Sequence, residues 1–372
     1  MMNRRRFLGI GGGCIVIAGV TSYALSDRRN LVRNDLRPDP IPRLLLKKDE
    51  RTILYLASLA PSGHNTQPWF IKRLQPYHWI VCNDQTKWLT AVDPTQRETM
   101  LSIGAFLQNL EYAANNLGYA CQFELKAKTN RDEEVMEVRL VNADLQAKYD
   151  TDHIKQRRTM RSGILPVELK QEDVNDLINK DIDFVHFIPP KTAAYRHLNE
   201  QTLEANKVQS YRDAAQKELA NWIRFSSKDA EKYRDGLTPG SMEIEGFTGW
   251  VVRNFYGKPN VMKNGFRDQN IEQVEKQVAT SGGWFVITSK NQSVTSLLET
   301  GQRMQRLFLK VRKKGIAIHP MTQILEEPSI HQGLNSAIGI NEPVQFILRT
   351  GYLKNYPGAV SLRRPVDWLI RS

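Results

Sequence analysis

The apolar and polar positions of this chain mark two segments that repeat each other. Trp79-Ile80-Val81-Cys82 and Trp284-Phe285-Val286-Ile287 are short unbroken apolar runs. That is the pattern of strands buried on both faces. Each run is followed by a stretch with apolar residues at helical spacing. In the first these are Leu107, Leu110, Ala114 and Leu117, between Gly104 and Gly118. In the second they are Met304, Leu307, Phe308 and Val311, between Gly301 and Gly315. A period near 3.6 sets them on one helix face, and the closing glycine suits a left-handed cap. Gln108 and Leu110 match Gln305 and Leu307. The pattern predicts an internal repeat of two α/β halves, each with a buried strand and a helix of equal length.

Further signals fill in the halves. Residues 27–50 form a basic, proline-containing linker, and residues 51–150 the first half, with strands near 122–128 and 135–141. Residues 151–372 form the second half, with a short strand around 184–187 and a last strand over 344–352. Residues 200–275 have no counterpart in the first half and read as an insertion. It holds a helical run over 203–225, the turn sequence Asp235-Gly236-Leu237-Thr238-Pro239-Gly240, and the aromatics Trp250, Phe255 and Tyr256. Such an insertion reads either as a surface elaboration or as a lid over a site.

Charge and rare residues narrow the classes. The chain has 372 residues and a formal net charge of +12. Arg303, Arg306, Lys310, Arg312, Lys313 and Lys314 are the polar side of one helix, with the last of them near its C-terminus, where cations are favoured. No aromatic-interleaved basic strand appears, so no nucleic-acid partner is expected. Seven histidines are dispersed without ligand spacing, so no metal is assigned. Cys82 and Cys121 each fall in a strand pattern and read as buried thiols, with a disulfide left open.

The N-terminus carries Asn3-Arg4-Arg5-Arg6-Phe7-Leu8, which resembles a twin-arginine export signal. Residues 7–26 carry no charge, and Ser22-Tyr23-Ala24 offers small residues for a signal peptidase. Residues 1–26 therefore read as a signal, or as an anchor in the inner membrane if uncleaved. Export machinery becomes a partner, and the periplasm or cell envelope the expected location. Cys14 lies inside the apolar stretch rather than after it, which argues against lipid attachment. Without this segment about 345 residues remain, ample for a sizeable core.

The densest chemistry lies in Ala60-Pro61-Ser62-Gly63-His64-Asn65-Thr66-Gln67-Pro68-Trp69. Pro and Gly punctuate a loop whose amides and hydroxyl can line the edge of a planar heterocycle. The other reading is a polar surface turn. The loop resembles the A-P-S-x-x-N-x-Q-P-W segment of the nitroreductase family of flavin enzymes. Arg157-Arg158-Thr159-Met160-Arg161-Ser162 resembles that family's R-R-S-x-R segment, and Arg363-Arg364-Pro365-Val366 its C-terminal basic pair. His319-Pro320-Met321-Thr322 stands where relatives have Pro-x-Glu-Gly, without the acidic residue.

The resemblance implies FMN as cofactor and an α/β (α+β) nitroreductase-like sandwich. It implies that Pro61, Ser62, Gly63, Asn65 and Gln67 line the ring, and that Arg157, Arg158, Thr159, Arg161, Arg363 and Arg364 hold the phosphate and ribityl chain. Pro320, Met321 and Thr322 would lie near the ring's N5 and O4. Guanidinium groups suit a phosphate through charge-assisted hydrogen bonds.

The family's sites form between two subunits. Here the ring loop occurs only early and the arginine segment only late, so the chain reads as a single-chain pseudo-dimer and a monomer, similar to the Acg-type branch. The implied activity is reduction of nitroaromatic, quinone-like or other small acceptors. The alternative is a flavin-sequestering protein closed by the insertion. Flavin chemistry requires no protein nucleophile, so no catalytic residue is assigned. Asp93, Arg97 and Glu98 read as a helix-capping group, with Arg97 or Glu98 as candidates to reach the flavin edge. His319 reads as structural.

Overall fold

The computed structural model describes residues 26–27, 29–36, 46–143 and 149–371. The twin-arginine segment lies outside them apart from Ser26, as does part of the linker. In the first half, helix α1 (Lys48–Ser58) leads into the strand pair β1 (Trp69–Gln75) and β2 (His78–Asn83). Helix α2 (Arg97–Asn116) and strands β3 (Tyr119–Leu125) and β4 (Glu134–Asn142) follow. The second half opens with α3 (Asp152–Gln156), α4 (Gln171–Ile178) and β5 (Val185–Ile188). The insertion carries α5 (Ala193–Tyr211), α6 (Asp213–Trp222), α7 (Ser227–Tyr233), α8 (Gly246–Phe255), α9 (Lys258–Val261) and α10 (Asn264–Ala279). The chain then forms β6 (Gly283–Thr288), α11 (Val294–Val311), β7 (Ile316–Pro320), α12 (Gln323–Glu326), α13 (Pro328–His331), α14 (Leu334–Ile338), β8 (Val344–Tyr352), α15 (Val366–Leu369) and β9 (Ile370–Arg371).

The fold is mixed α and β, with two sheets. One has the order β3-β4-β2-β1-β9 and the other β5-β6-β8-β7. The two predicted buried runs fall in β2 and β6, both buried along their whole length. Strand β9 joins the first sheet parallel to β1, so the end of the second half crosses the boundary drawn at residue 150. Arg51 grips Asp367 with two hydrogen bonds of 2.8 and 3.0 Å, fixing that return.

Helices α2 and α11 pack against each other at the centre, and one core cluster takes Leu101, Phe106 and Leu110 from the first and Leu298, Leu307 and Phe308 from the second. Gly104 and Gly301 are the reason the helices approach so closely. A Cβ at Gly104 would fall on the Leu298 carbonyl, and one at Gly301 on the Leu101 carbonyl. The two clashes are the same relation read in both directions, each glycine meeting the carbonyl three residues before its counterpart. The polar pairs repeat it: Gln305 donates to Asn109 at 2.7 Å and Arg306 to Gln108 at 2.7 Å. The sequence repeat is therefore a local twofold relation at the crossing. Gly104 and Gly301 sit inside the helices and not at their starts, because close approach is their role. Gly118 and Gly315 do have positive φ, at 85° and 62°, as capping glycines.

The halves differ in cover. Insertion helices α5 and α10 close the other face of the second sheet, with Leu198, Ala205, Val274 and Val278 against Trp284, Val286 and Ile347. Over the first sheet the matching face holds only the small cluster Phe70, Ile80 and Cys82. Cys82 and Cys121 are free thiols, and Cys121 is half-buried, because β3 is an outer strand of its sheet. No helix among the described residues is long and apolar enough to cross a membrane, and no group of metal-ligating side chains occurs among them.

Candidate functional site

The loop after α1 is built from strained backbone. His64, Asn65 and Gln67 all have positive φ, at 46°, 56° and 54°. Residues that are not glycine reach this region at a cost and keep it only when their surroundings dictate it. Here the surroundings do so. Ser62 Oγ accepts from the Gln67 N–H at 2.9 Å. Trp69 is fully buried against Phe106 and anchors the loop in the core. Arg363 donates to the carbonyls of Ser58 at 2.7 Å, Leu59 at 3.1 Å and Ala60 at 2.9 Å, and to Asn65 Oδ1 at 2.8 Å. Arg364 donates to the Gln67 and Trp69 carbonyls, and its N–H to Gln67 Oε1 at 3.0 Å.

These bonds revise the reading of the basic pair. Most N–H donors of Arg363 and Arg364 are engaged by loop backbone and amides. The pair shapes the ring loop, and what Arg363 offers a ligand is chiefly its charge. Arg157 is the guanidinium with free capacity. It is buried, its Nη2 reaches the Leu59 carbonyl only at 3.4 Å, and its Nε and Nη1 have no partner among the described residues. Its remaining neighbour is the Phe308 ring, 5.3 Å away. Burial and the nearby Arg33 charge push the Arg157 guanidinium down to about 10. Burial, Arg157 and Arg33 push Arg363 well below the usual arginine range. No described carboxylate pairs with Arg33, Arg157 or Arg363. Three convergent cations without a counter-charge are costly to fold alone and suit a multiply charged oxyanion.

One residue along, the picture inverts. The Glu243 carboxylate accepts from the Arg161 N–H at 3.1 Å, from the Ser162 N–H at 2.7 Å, from Ser162 Oγ at 2.6 Å, and from Arg158 Nη2 at 3.4 Å. Glu243 itself has a positive φ of 62°. It belongs to the insertion. The same stretch of insertion holds the ring loop: Asn65 Nδ2 donates to the Gly236 carbonyl at 3.0 Å and Gln67 Nε2 to the Arg234 carbonyl at 3.0 Å. Asp235 is itself buried and held by Arg224 at 2.6 Å and Lys87 at 2.7 Å.

The insertion thus meets the site through residues 234–243. The aromatics Trp250 and Phe255 lie instead on α8, where Phe247 and Phe255 are exposed and Trp250 donates to Ser26 at 2.7 Å. Tyr256 packs on the insertion's own core. Of the insertion, the stretch 234–243, and not these aromatics, makes the contacts with the ring loop.

The remaining motif comes in from β7. His319 is buried, and burial with the Arg349 and Arg161 charges keeps it well below its usual range, neutral. His64, across in the ring loop, is pushed down to about 4 by burial and by the same Arg161. Arg161 is thus the joint between the two histidines. Met321 is a core residue whose N–H donates to Ile347 at 2.9 Å. Thr322 faces two carboxylates: Glu326 Oε1 at 3.0 Å and Glu98 Oε1 at 3.4 Å. A Cβ on Gly63 would stand 3.3 Å from Glu98 Oε2. The acidic character missing from the 320–322 segment is supplied from α2 and α12.

Asp93 caps α2 as expected, accepting from the N–H groups of Arg97, Glu98 and Thr99. All four sequence motifs are brought to one place, where the two halves meet. Thr159 is half-buried beside them. Arg33, Glu243 and Glu326 were not legible as site residues, because no local pattern marks a charge whose partner lies far along the chain.

No family model matches the chain. It is 20% identical over 331 residues to the Serratia sp. protein named Probable NAD(P)H nitroreductase PigM, spanning 80% of this chain and 86% of that one. A Mycobacterium tuberculosis protein, also named as a candidate NAD(P)H nitroreductase, is 38% identical over 88 residues, 22% of each chain. Among solved structures, a candidate nitroreductase from Anabaena variabilis covers 88% of this chain and 98% of its own at 11% identity, with a TM-score of 0.46. The FMN-dependent nitroreductase NfnB from Mycobacterium smegmatis covers 56% of this chain at 15% identity, with a TM-score of 0.35.

Proposed function

We propose that this chain is a nitroreductase-like, FMN-dependent oxidoreductase whose two halves build one flavin site. The observation that carries this is the buried pair Arg157 and Arg363, with the half-buried Arg33 near them, beside the strained loop of residues 61–67, with no carboxylate among the described residues paired to any of the three. The likeness to the Serratia protein over most of the chain supports the same reading. In it, Arg157 and Arg363 hold the phosphate with help from Arg33. Pro61, Ser62, Gly63, Asn65 and Gln67 line the ring from the first half, and Pro320, Met321 and Thr322 approach from the second. Bound FMN would supply hydride and electron transfer, and the protein supplies position, charge and exclusion of water. The acceptor is a small nitroaromatic or quinone-like molecule. Export through the twin-arginine route as a folded monomer belongs to the same proposal.

The test is cofactor content. Protein purified from the cell envelope should yield close to one FMN per chain on extraction. Two flavins per chain, or FAD, would overturn the single composite site.

A second reading has its own support. Residues 234–243 tie down the amides of Asn65 and Gln67, and Glu243 sits on Arg158, Arg161 and Ser162. A site held this way from above suits a flavin-binding protein with slow turnover. Anaerobic stopped flow with NADPH decides between the two. Rapid flavin reduction with electrons passing to a nitroaromatic favours the enzyme, and a flavin that stays oxidised favours the binder.

A further inference from the structure

We propose that Glu326, Thr322 and Glu98 form a proton relay leading to the ring loop, and that it supplies the proton consumed when the acceptor is reduced. The inference rests on the oxidoreductase reading above and adds a proton-transfer role for Thr322, which that reading sets beside the ring, and for Glu326 and Glu98, which it does not use.

The argument starts from counting hydrogens. The Thr322 hydroxyl has one proton and stands between two carboxyl oxygens, Glu326 Oε1 at 3.0 Å and Glu98 Oε1 at 3.4 Å. A hydroxyl donates once. Both contacts are satisfied only if one carboxyl is protonated and donates to Thr322. The partners say which. Glu98 Oε1 accepts from Arg97 at 3.1 Å, so a carboxylate is stabilised there. No cation among the described residues is in contact with Glu326, and its Oε2 accepts from the neutral Gln209 amide at 2.5 Å. The order is therefore Glu326 O–H to Thr322 O–H to Glu98 carboxylate.

The surroundings agree. Burial and the Glu98 charge raise the Glu326 carboxyl, with only Arg97 and two neutral donors opposing. Asp93, in the loop that caps the start of α2 beside Glu98, is raised as well by burial and by Glu98. Arg212, from the end of α5, is taken by Glu327 at 2.6 Å and does not compensate Glu326. His331 on α13 is lowered by burial and Arg97, so it adds no positive charge near neutral pH.

The far end of the relay points at the candidate site. Glu98 Oε2 faces Gly63, and any side chain there would crowd it. Reduction of a quinone-like acceptor by a nicotinamide donor consumes one hydride and one proton. The Glu326 O–H bond breaks as Thr322 Oγ1 takes its proton. The Thr322 O–H bond breaks as Glu98 Oε1 takes the second proton. A turn of the Glu98 carboxyl, a soft torsion, presents it to the acceptor oxygen. The Glu326 carboxylate is then reprotonated from water.

Two variants and two readouts test this. Thr322→Val cuts the relay, and Glu326→Gln removes its proton source. In the flavin-loaded protein, both should lower acceptor reduction by about 100-fold or more. The wild-type rate should fall as pH rises through about 8, and that limb should vanish in Glu326→Gln. Flavin content should be unchanged in Glu326→Gln, and the Thr322→Val rate is compared per bound flavin. Infrared difference spectra of flavin-free protein at neutral pH should show a protonated carboxyl that Glu326→Gln removes. Absence of that band, or unchanged rates and pH profiles in both variants, overturns the relay. Failure of all three proteins to bind flavin overturns the function above, and the infrared band still reports on the shared proton alone.

Discussion

Arg157 and Arg158 are neighbours in the chain and opposites in the structure. Arg158 meets a carboxylate of the protein itself, Glu243. Arg157 meets the Phe308 ring, one distant carbonyl and other cations. Both are buried. A buried charge with a partner is part of the architecture, and one without is a demand for something else. The motif as read from sequence treats its arginines as equal. The structure divides them into a group balanced from within and a group open to an outside anion.

The sharpest way to break this division is to remove each charge in turn. Arg157→Met should weaken FMN binding by about 10- to 100-fold, while Arg158→Met should cost less. Without flavin the order reverses. Arg157→Met relieves a buried unpaired charge and should raise the melting temperature. Arg158→Met leaves Glu243 with fewer donors and should lower it. Titration of flavin fluorescence and melting of the flavin-free proteins would read both, and equal effects would dissolve the distinction.

Glu243→Gln probes the balanced side. It keeps the shape and removes the charge that three backbone and side-chain donors now share with Arg158. Urea unfolding should show a loss of about 1–2 kcal/mol. Flavin exchange on dialysis should quicken, because residues 234–243 are then held less firmly. A stable variant with unchanged exchange would mean that Glu243 is not what holds that segment down.

Inorganic phosphate offers a milder probe of the open side. At about ten times its Kd it should stabilise the flavin-free wild type by roughly 1.4 kcal/mol. Arg157→Met should lose that gain, and Glu243→Gln should keep it. Sulfate serves as a second anion in the same melting experiment.

The smallest effect lies in pH. The His64 imidazole is pushed down to about 4 from an ordinary 6.5 by burial and Arg161. The folded state thus prefers it neutral. Its contribution is complete above pH 6.5 and is lost as pH falls from there toward 4. With His64 partly exposed, the swing should be about 1 kcal/mol. His64→Asn, which tolerates the positive φ, should flatten that part of the stability profile.

How much of this was legible depends on the distance over which each signal acts. Strands β2 and β6 and helices α2 and α11 were visible because their apolar period is local. Gly104 and Gly301 stood out as paired, but were read as helix starts. Their role is contact between helices nearly 200 residues apart in the chain (roughly), which a period cannot express. Trp69 is legible as the last residue of the loop motif, and the structure adds that it is fixed in the core. Arg363 and Arg364 were visible as a basic pair, but their partners are carbonyls, which every residue carries, so nothing in the sequence distinguishes them. Glu243 follows a Pro-Gly turn in a segment with no repeat to compare, and Glu326 lies beyond the motif that it serves. The insertion was legible as extra chain, and its aromatics drew attention away from the short stretch that makes the contacts.

The Arg363 bonds to residues 58–60 also bear on how the molecule is made. They join positions 305, 304 and 303 residues apart in the chain. The strained loop cannot be held until the chain has run almost to β9 and doubled back onto α1. Closing so long a span adds little entropy cost beyond that of a shorter one, yet it comes late by simple order of synthesis. Anion capture and the last topological step would then coincide. With the proposed site, a half-made chain would have no place to hold an anion, and a chain that held one would have finished folding.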